Sequence, residues 1–226
     1  MKMNTKHFML LAMLFASIIG KAQEINENKE TLTLGINAGY GINSNAYQTM
    51  STNNKFSYYG IDSQFSFGAD LGLYVTPRLR PRVELRYSEY DYGMNWLSST
   101  SYSKTECTIF NLDLNVHLDY KFVEYKKLKI FISPGIVNEF ALGEQYKTYK
   151  INNDDPTYKE YADFNEEYPD AISGANLEMP IKYNLNRWLG VTVTPSYTCF
   201  FKKFRPENSN PYQRFSINAG VEIKLY

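Results

Sequence analysis

The chain has 226 residues, enough for one domain with a sizeable interior. Its 24 Lys and Arg balance 24 Asp and Glu, which leaves no basic surface for nucleic acid. Aromatic residues are abundant, with 20 Tyr and 14 Phe against 2 Trp, yet beyond the N-terminus no stretch approaches the roughly 20 apolar residues of a membrane-spanning helix.

The first element is an export signal. Lys2 and Lys6 precede an apolar run from Phe8 to Ile19, and "GKAQ" then offers Gly20 and Ala22 as an A-x-A-like cleavage site. This predicts a signal peptide over 1–22 and a short periplasmic segment over 23–30. No Cys follows the site, which argues against a lipoprotein. Export permits a disulfide between Cys107 and Cys199, but the strands below place the two on non-adjacent strands and opposite faces. His117 is the single histidine after residue 22, which speaks against a His-rich metal site.

The next element, "TLTLGINAGYGIN" (31–43), alternates strictly. Leu32, Leu34, Ile36, Ala38, Tyr40 and Ile42 share one face, and Thr33, Gly35, Asn37, Gly39 and Gly41 share the other. The pattern recurs over 65–75, 82–88, 110–122, 128–142, 177–183, 189–197 and 215–225, giving eight strands. "TPRLR" (76–80), "VEYKK" (123–127) and "NLNRW" (184–188) read as tight turns, while about 45–62, 91–106, 143–174 and 202–212 read as long loops. Pro134, Pro180 and Pro195 mark bulges or strand ends.

The apolar stripes must face lipid. An eight-stranded barrel is too narrow to hold eight such faces inside, and a sandwich would leave Gly35, Gly39, Gly41, Gly68 and Gly72 on an outer face with nothing to pack on. Inverted, the glycines line a crowded lumen and the closed ring satisfies its own backbone in hydrocarbon. The prediction is an all-β, eight-stranded antiparallel up-and-down transmembrane barrel over 31–226, with short periplasmic turns and long extracellular loops. Aromatics near both strand ends, such as Tyr120, Phe122, Tyr183 and Trp188 at one and Phe65, Phe67, Tyr197 and Phe201 at the other, fit interfacial girdles.

Inward positions carry Arg82, Arg86, Lys121, Lys129, Lys182, Arg214 and Lys224 against Asp70, Glu84, Asp113, Asp119, Glu139, Glu178 and Glu222. Seven of each sign is what a self-neutralising lumen network requires, since buried charge must be paired. Such a lumen is filled rather than open.

The strings "LDLNVHLDYKF", "KIFISPGIVNEFAL", "LEMPIKYNL" and "FSINAGVEIKLY", together with a signal ending in "AQ", resemble the OmpX- and PorT-like outer-membrane β-barrels of Bacteroidota. The resemblance implies architecture and carries no catalytic residue. Its terminal strand is similar to the signal read by the barrel-assembly machinery, with Gly220, Ile223 and Leu225 in the usual spacing and Tyr226 one position out of phase.

Chemistry is sparse. His117 is the one candidate base, and no Ser stands at a persuasive spacing from it, so neither catalysis nor a cofactor is expected. "NNDD" (152–155) lacks the Gly and spacing of a calcium loop. Residues 143–174 hold eight acidic side chains, three Lys, and Tyr146, Tyr149, Tyr158, Tyr161 and Tyr168, a candidate surface for an extracellular ligand. Lys202, Lys203 and Arg205 are candidate contacts for lipopolysaccharide phosphates. The sequence reads as a monomeric outer-membrane barrel with a structural or loop-borne binding role. A transport or secretion accessory is the alternative, and a lipid-A-modifying enzyme the third.

Overall fold

The computed structural model describes residues 32–44, 50–52, 55–59, 62–97, 101–152, 171–201 and 213–225. The predicted signal peptide and residues 23–30 lie outside them. The described residues form β1 (Leu32–Ser44), β2 (Met50–Thr52), β3 (Lys55–Tyr59), β4 (Asp62–Leu73), β5 (Leu79–Leu97), β6 (Ser101–Tyr125), β7 (Leu128–Asn152), β8 (Ala171–Glu178), β9 (Ile181–Asn184), β10 (Leu189–Phe200) and β11 (Gln213–Leu225).

The sheet closes on itself. β1 pairs antiparallel with β4 on one side and with β11 on the other, from Leu32↔Leu225 to Ser44↔Gln213. β8 and β9 make one stave, each pairing with β7 and β10. The ring therefore has eight staves: β1, β4, β5, β6, β7, β8 with β9, β10 and β11. Pro180 causes the break between β8 and β9, because it has no N–H to give the ladder. Its carbonyl still accepts from the Phe131 N–H at 2.9 Å, and the Met179 N–H reaches the Pro195 carbonyl at 3.0 Å. The inward phase of Glu178, Pro180 and Lys182 passes through unbroken.

Burial is inside out. Ile36 is 63% exposed on the outer wall, whereas Glu84, Asp113 and Asp119 are 0% exposed inside the ring. Leu34, Phe67, Leu85, Ile136, Leu177 and Ile217 share the outer face. Water would penalise such a surface and hydrocarbon would not.

The strands outrun their predicted ends on one side. β6 and β7 have 25 residues each, and their pairing runs on to Ser101↔Asn152. β5 follows β6 to Leu97↔Tyr102, while β7 loses β8 at Phe140↔Ala171. β3 joins β5 at Tyr59↔Met94 and β2 joins β3, so β2, β3, β5, β6 and β7 rise above the ring as a sheet. The spans 91–106 and 143–152, predicted as loops, are largely strand. Beyond the membrane neither face meets lipid, so the apolar alternation that reveals a strand is lost while backbone register carries on.

The opposite rim holds turns at 74–78, 126–127 and 185–188. Thr76 Oγ1 accepts from the Arg78 and Leu79 N–H groups at 3.3 and 3.0 Å. Asn186 Oδ1 does the same for Trp188 and Leu189 at 2.9 and 2.8 Å. These side-chain caps hold the turns tight. Arg80, read from sequence as a turn residue, lies inside β5.

Candidate functional site

The lumen is built mainly by β5, which sends Arg80, Arg82, Glu84, Arg86, Ser88 and Tyr90 inward along one face. Nearest the short turns, Arg80 donates to Asp119 Oδ2 at 2.8 Å from Nε and 2.5 Å from Nη2, and to Glu222 Oε2 at 2.5 Å. Lys182 also bonds Glu222. The Arg80 guanidinium lies between the rings of Tyr74 and Phe131, 5.5 and 5.4 Å from their centroids.

The middle tier is denser. Arg82 bonds Glu178 and reaches Asp119 Oδ2 at 3.2 Å. Arg86 Nη2 donates to both Glu84 oxygens at 2.8 Å, and Asn37 and Asn115 donate to the same carboxylate at 2.8 and 3.1 Å. His117 Nε2 stands 3.7 Å from Glu178 Oε1, and its ring fills the space where a Cβ at Gly135 would sit. Glu84, His117 and Glu178 bring ligand-type atoms within 4.8 Å of one another. Both carboxylates already accept from guanidinium groups, so a cation there would have to displace arginine from each.

Toward the raised sheet, Arg214 and Tyr90 bond each other, and both donate to Glu139 Oε1, at 2.5 and 2.8 Å. Arg214 lies 5.6 and 5.2 Å from the ring centroids of Tyr90 and Phe200, and Phe200 packs in a buried cluster with Val137 and Ile172. Ser88 donates to Asp113 at 3.0 Å. An arginine clasped by two aromatic rings thus closes each end of the charged centre.

The facing wall is made of short side chains. A Cβ at Gly35 would run into Asp70, and one at Gly39 into Asn218. Between the walls lies a polar cavity of about 40 Å³ lined by Asp70, Arg80, Arg82, Arg86, Asn37 and Asn218 among others. That is space for about two or three water molecules.

Of the charges singled out from sequence, Arg82, Glu84, Arg86, Asp119, Glu139, Glu178, Lys182, Arg214 and Glu222 meet in these ion pairs. Asp70 lines the cavity, and Asp113 and Lys224 are buried. Lys121 and Lys129 both reach Glu124 at the short-turn rim, Lys129 at 3.4 Å. The hydrogen bond from Lys121 holds the Glu124 carboxyl below its ordinary range. Arg80, Tyr90, Phe131, Phe200 and Glu124 were not singled out. The inward phase of Arg82–Ser88, extended by two residues each way, would have found Arg80 and Tyr90.

Tyr146 and Tyr149 lie on the raised part of β7. Tyr158, Tyr161, Tyr168, Lys202, Lys203 and Arg205 fall outside the described residues. Cys107 is on β6 and the free Cys199 on β10, strands that do not pair.

The family model for the outer membrane protein beta-barrel domain matches residues 21–197. Neisserial surface protein A, a solved structure, is 12% identical, with 86% of this chain and 97% of that chain covered and a TM-score of 0.48. OprG from Pseudomonas aeruginosa is 10% identical over 88% of this chain and 98% of that chain, with a TM-score of 0.46. Ail, the attachment invasion locus protein of Yersinia pestis, is 8% identical over 88% of this chain and 100% of that chain, with a TM-score of 0.42. No curated protein matches the chain in sequence. On the family match, which spans most of the closed ring, the chain belongs to the outer membrane protein β-barrel domain family and resides in the outer membrane.

Proposed function

We propose that this protein is a non-catalytic anchor that holds a binding surface outside the cell. The observation that carries the reading is the raised sheet. Residues 141–152 of β7 pair with β6 and, among the described residues, with nothing on their other side. A strand edge of this kind offers unpaired N–H and C=O groups that an extended segment of a partner can join. Tyr146, Tyr149 and the tyrosines of 153–170 would add contact area at low entropy cost. The filled lumen fits an anchor better than a conduit, and the resemblance to OmpX- and PorT-like barrels of Bacteroidota supports the same class.

A trimmed barrel tests this. Replacing 95–104 with Asn-Gly leaves Met94 opposite Thr105 across a two-residue turn, and removing 145–170 leaves 141–144 to connect Phe140 to its register partner Ala171. The trimmed protein should insert and migrate heat-modifiably on gels. A photo-crosslinker at Thr148 of the full chain should capture an extracellular partner on intact cells, and cells carrying the trimmed barrel should no longer bind that partner. Equal binding by both would refute the reading and favour a secretion accessory working through the barrel itself.

A further inference from the structure

The short turns carry charge of one sign. Arg78, Lys126, Lys127 and Arg187 are exposed turn residues, and turns 74–78, 126–127 and 185–188 contain no Asp or Glu. Glu124, two residues before Lys126, is held by Lys121 and Lys129. The turns are stitched together: the Asn184 N–H donates to the Lys127 carbonyl at 2.9 Å, Lys127 Nζ to the Leu185 carbonyl at 3.2 Å, and the Lys121 N–H to the Arg78 carbonyl at 2.8 Å. The cations thus form one arc.

Lys126 has φ 54°, a left-handed position that Gly or Asn would occupy at less cost, so turn geometry does not explain a lysine there. Beside the arc stand exposed Tyr125, Tyr183, Trp188 and Leu185, with the Lys126 ammonium 5.3 Å from the Tyr125 ring centroid. Amphipathic rings of this type sit at headgroup level. Short turns of outer-membrane barrels face the periplasm. We propose that this arc is a binding site for the phosphate headgroups of anionic phospholipid in the inner leaflet of the outer membrane. Each cation near an anionic bilayer surface adds attraction, and the rings fix its depth.

The test uses the whole chain, so that Glu24, Glu27 and Glu30, which precede β1 in sequence, can compete. The protein is placed in phosphatidylcholine vesicles with a trace of spin-labelled phosphatidylglycerol or spin-labelled phosphatidylcholine, and the motionally restricted fraction is read by electron spin resonance. Phosphatidylglycerol should be preferred roughly three- to tenfold at low salt. The preference should vanish at about 1 M salt, where screening acts within about 3 Å. It should also vanish in R78Q/K126Q/K127Q/R187Q, with K126Q/K127Q intermediate, while heat-modifiable migration reports that each variant is folded. K202Q/K203Q/R205Q should leave it unchanged. Parity in the natural chain, persistence in the quadruple variant, or loss in the K202Q/K203Q/R205Q variant would overturn the proposal. Displacement by inorganic phosphate beyond that by chloride of equal ionic strength would assign the site to free phosphate and overturn it too.

Discussion

Arg80 shows what one side chain does in this lumen. It touches Asp119 and Glu222, sits between two rings, and is 3% exposed. Ion pairs removed from water contribute little net stability when intact, because desolvation offsets their attraction; removing one partner strands the other. Arg80→Met should therefore destabilise the barrel by about 3–5 kcal/mol, seen as a lower urea midpoint for vesicle-embedded protein. An unchanged midpoint would mean that Asp119 and Glu222 find other donors. Much of this centre was legible, since charges recurring at every second residue opposite apolar neighbours have no other place to go. Arg80 escaped because "TPRLR" reads as a turn and the alternation is read only from Arg82 onward. The inward aromatics Phe131 and Phe200 escaped for another reason: alternation separates faces by polarity, and an apolar plug inside a polar lumen carries the label of the wrong face.

At the scale of elements, some glycines stand directly against the main chain of a neighbouring strand. A Cβ at Gly68 on β4 would meet the Leu85 carbonyl of β5 at 2.7 Å and Arg86 Cα at 3.1 Å, and main chain cannot step aside as a side chain can. Gly143 on β7 has nothing within 4 Å of such an atom. Gly68→Ala is expected to cost about 1–3 kcal/mol of stability and Gly143→Ala almost none, measured by the same urea titration; equal costs would refute the steric account. The staves themselves were legible from period-two alternation, including Pro180 as an interruption, whereas Pro134 and Pro195, read the same way, lie inside β7 and β10 in regular register. The raised sheet was not. Alternation reports a difference between the two sides of a strand, and above the membrane there is none, so β5, β6 and β7 continue unannounced past 91, 106 and 143.

At the scale of the whole molecule, the described residues close a ring whose interior is taken up largely by its own charged side chains. With the charged tiers capped by the Tyr74–Arg80–Phe131 and Tyr90–Arg214–Phe200 clasps, planar-bilayer recordings should show no large, stable conductance; steady openings at the scale of a porin would contradict the filled lumen. The two walls of that interior are unequal. Mid-seam, β1 and β11 present Gly35, Asn37, Gly39, Ser216, Asn218 and Gly220 inward, and the long charged side chains stand mostly on β5 to β9. A barrel closes once, when its first strand meets its last. Here that final zipper runs between two strands with almost nothing bulky to thread at mid-height, so the arginines and carboxylates can find one another on the open sheet beforehand. The glycines of the first strand leave the door narrow enough to shut on a room already furnished.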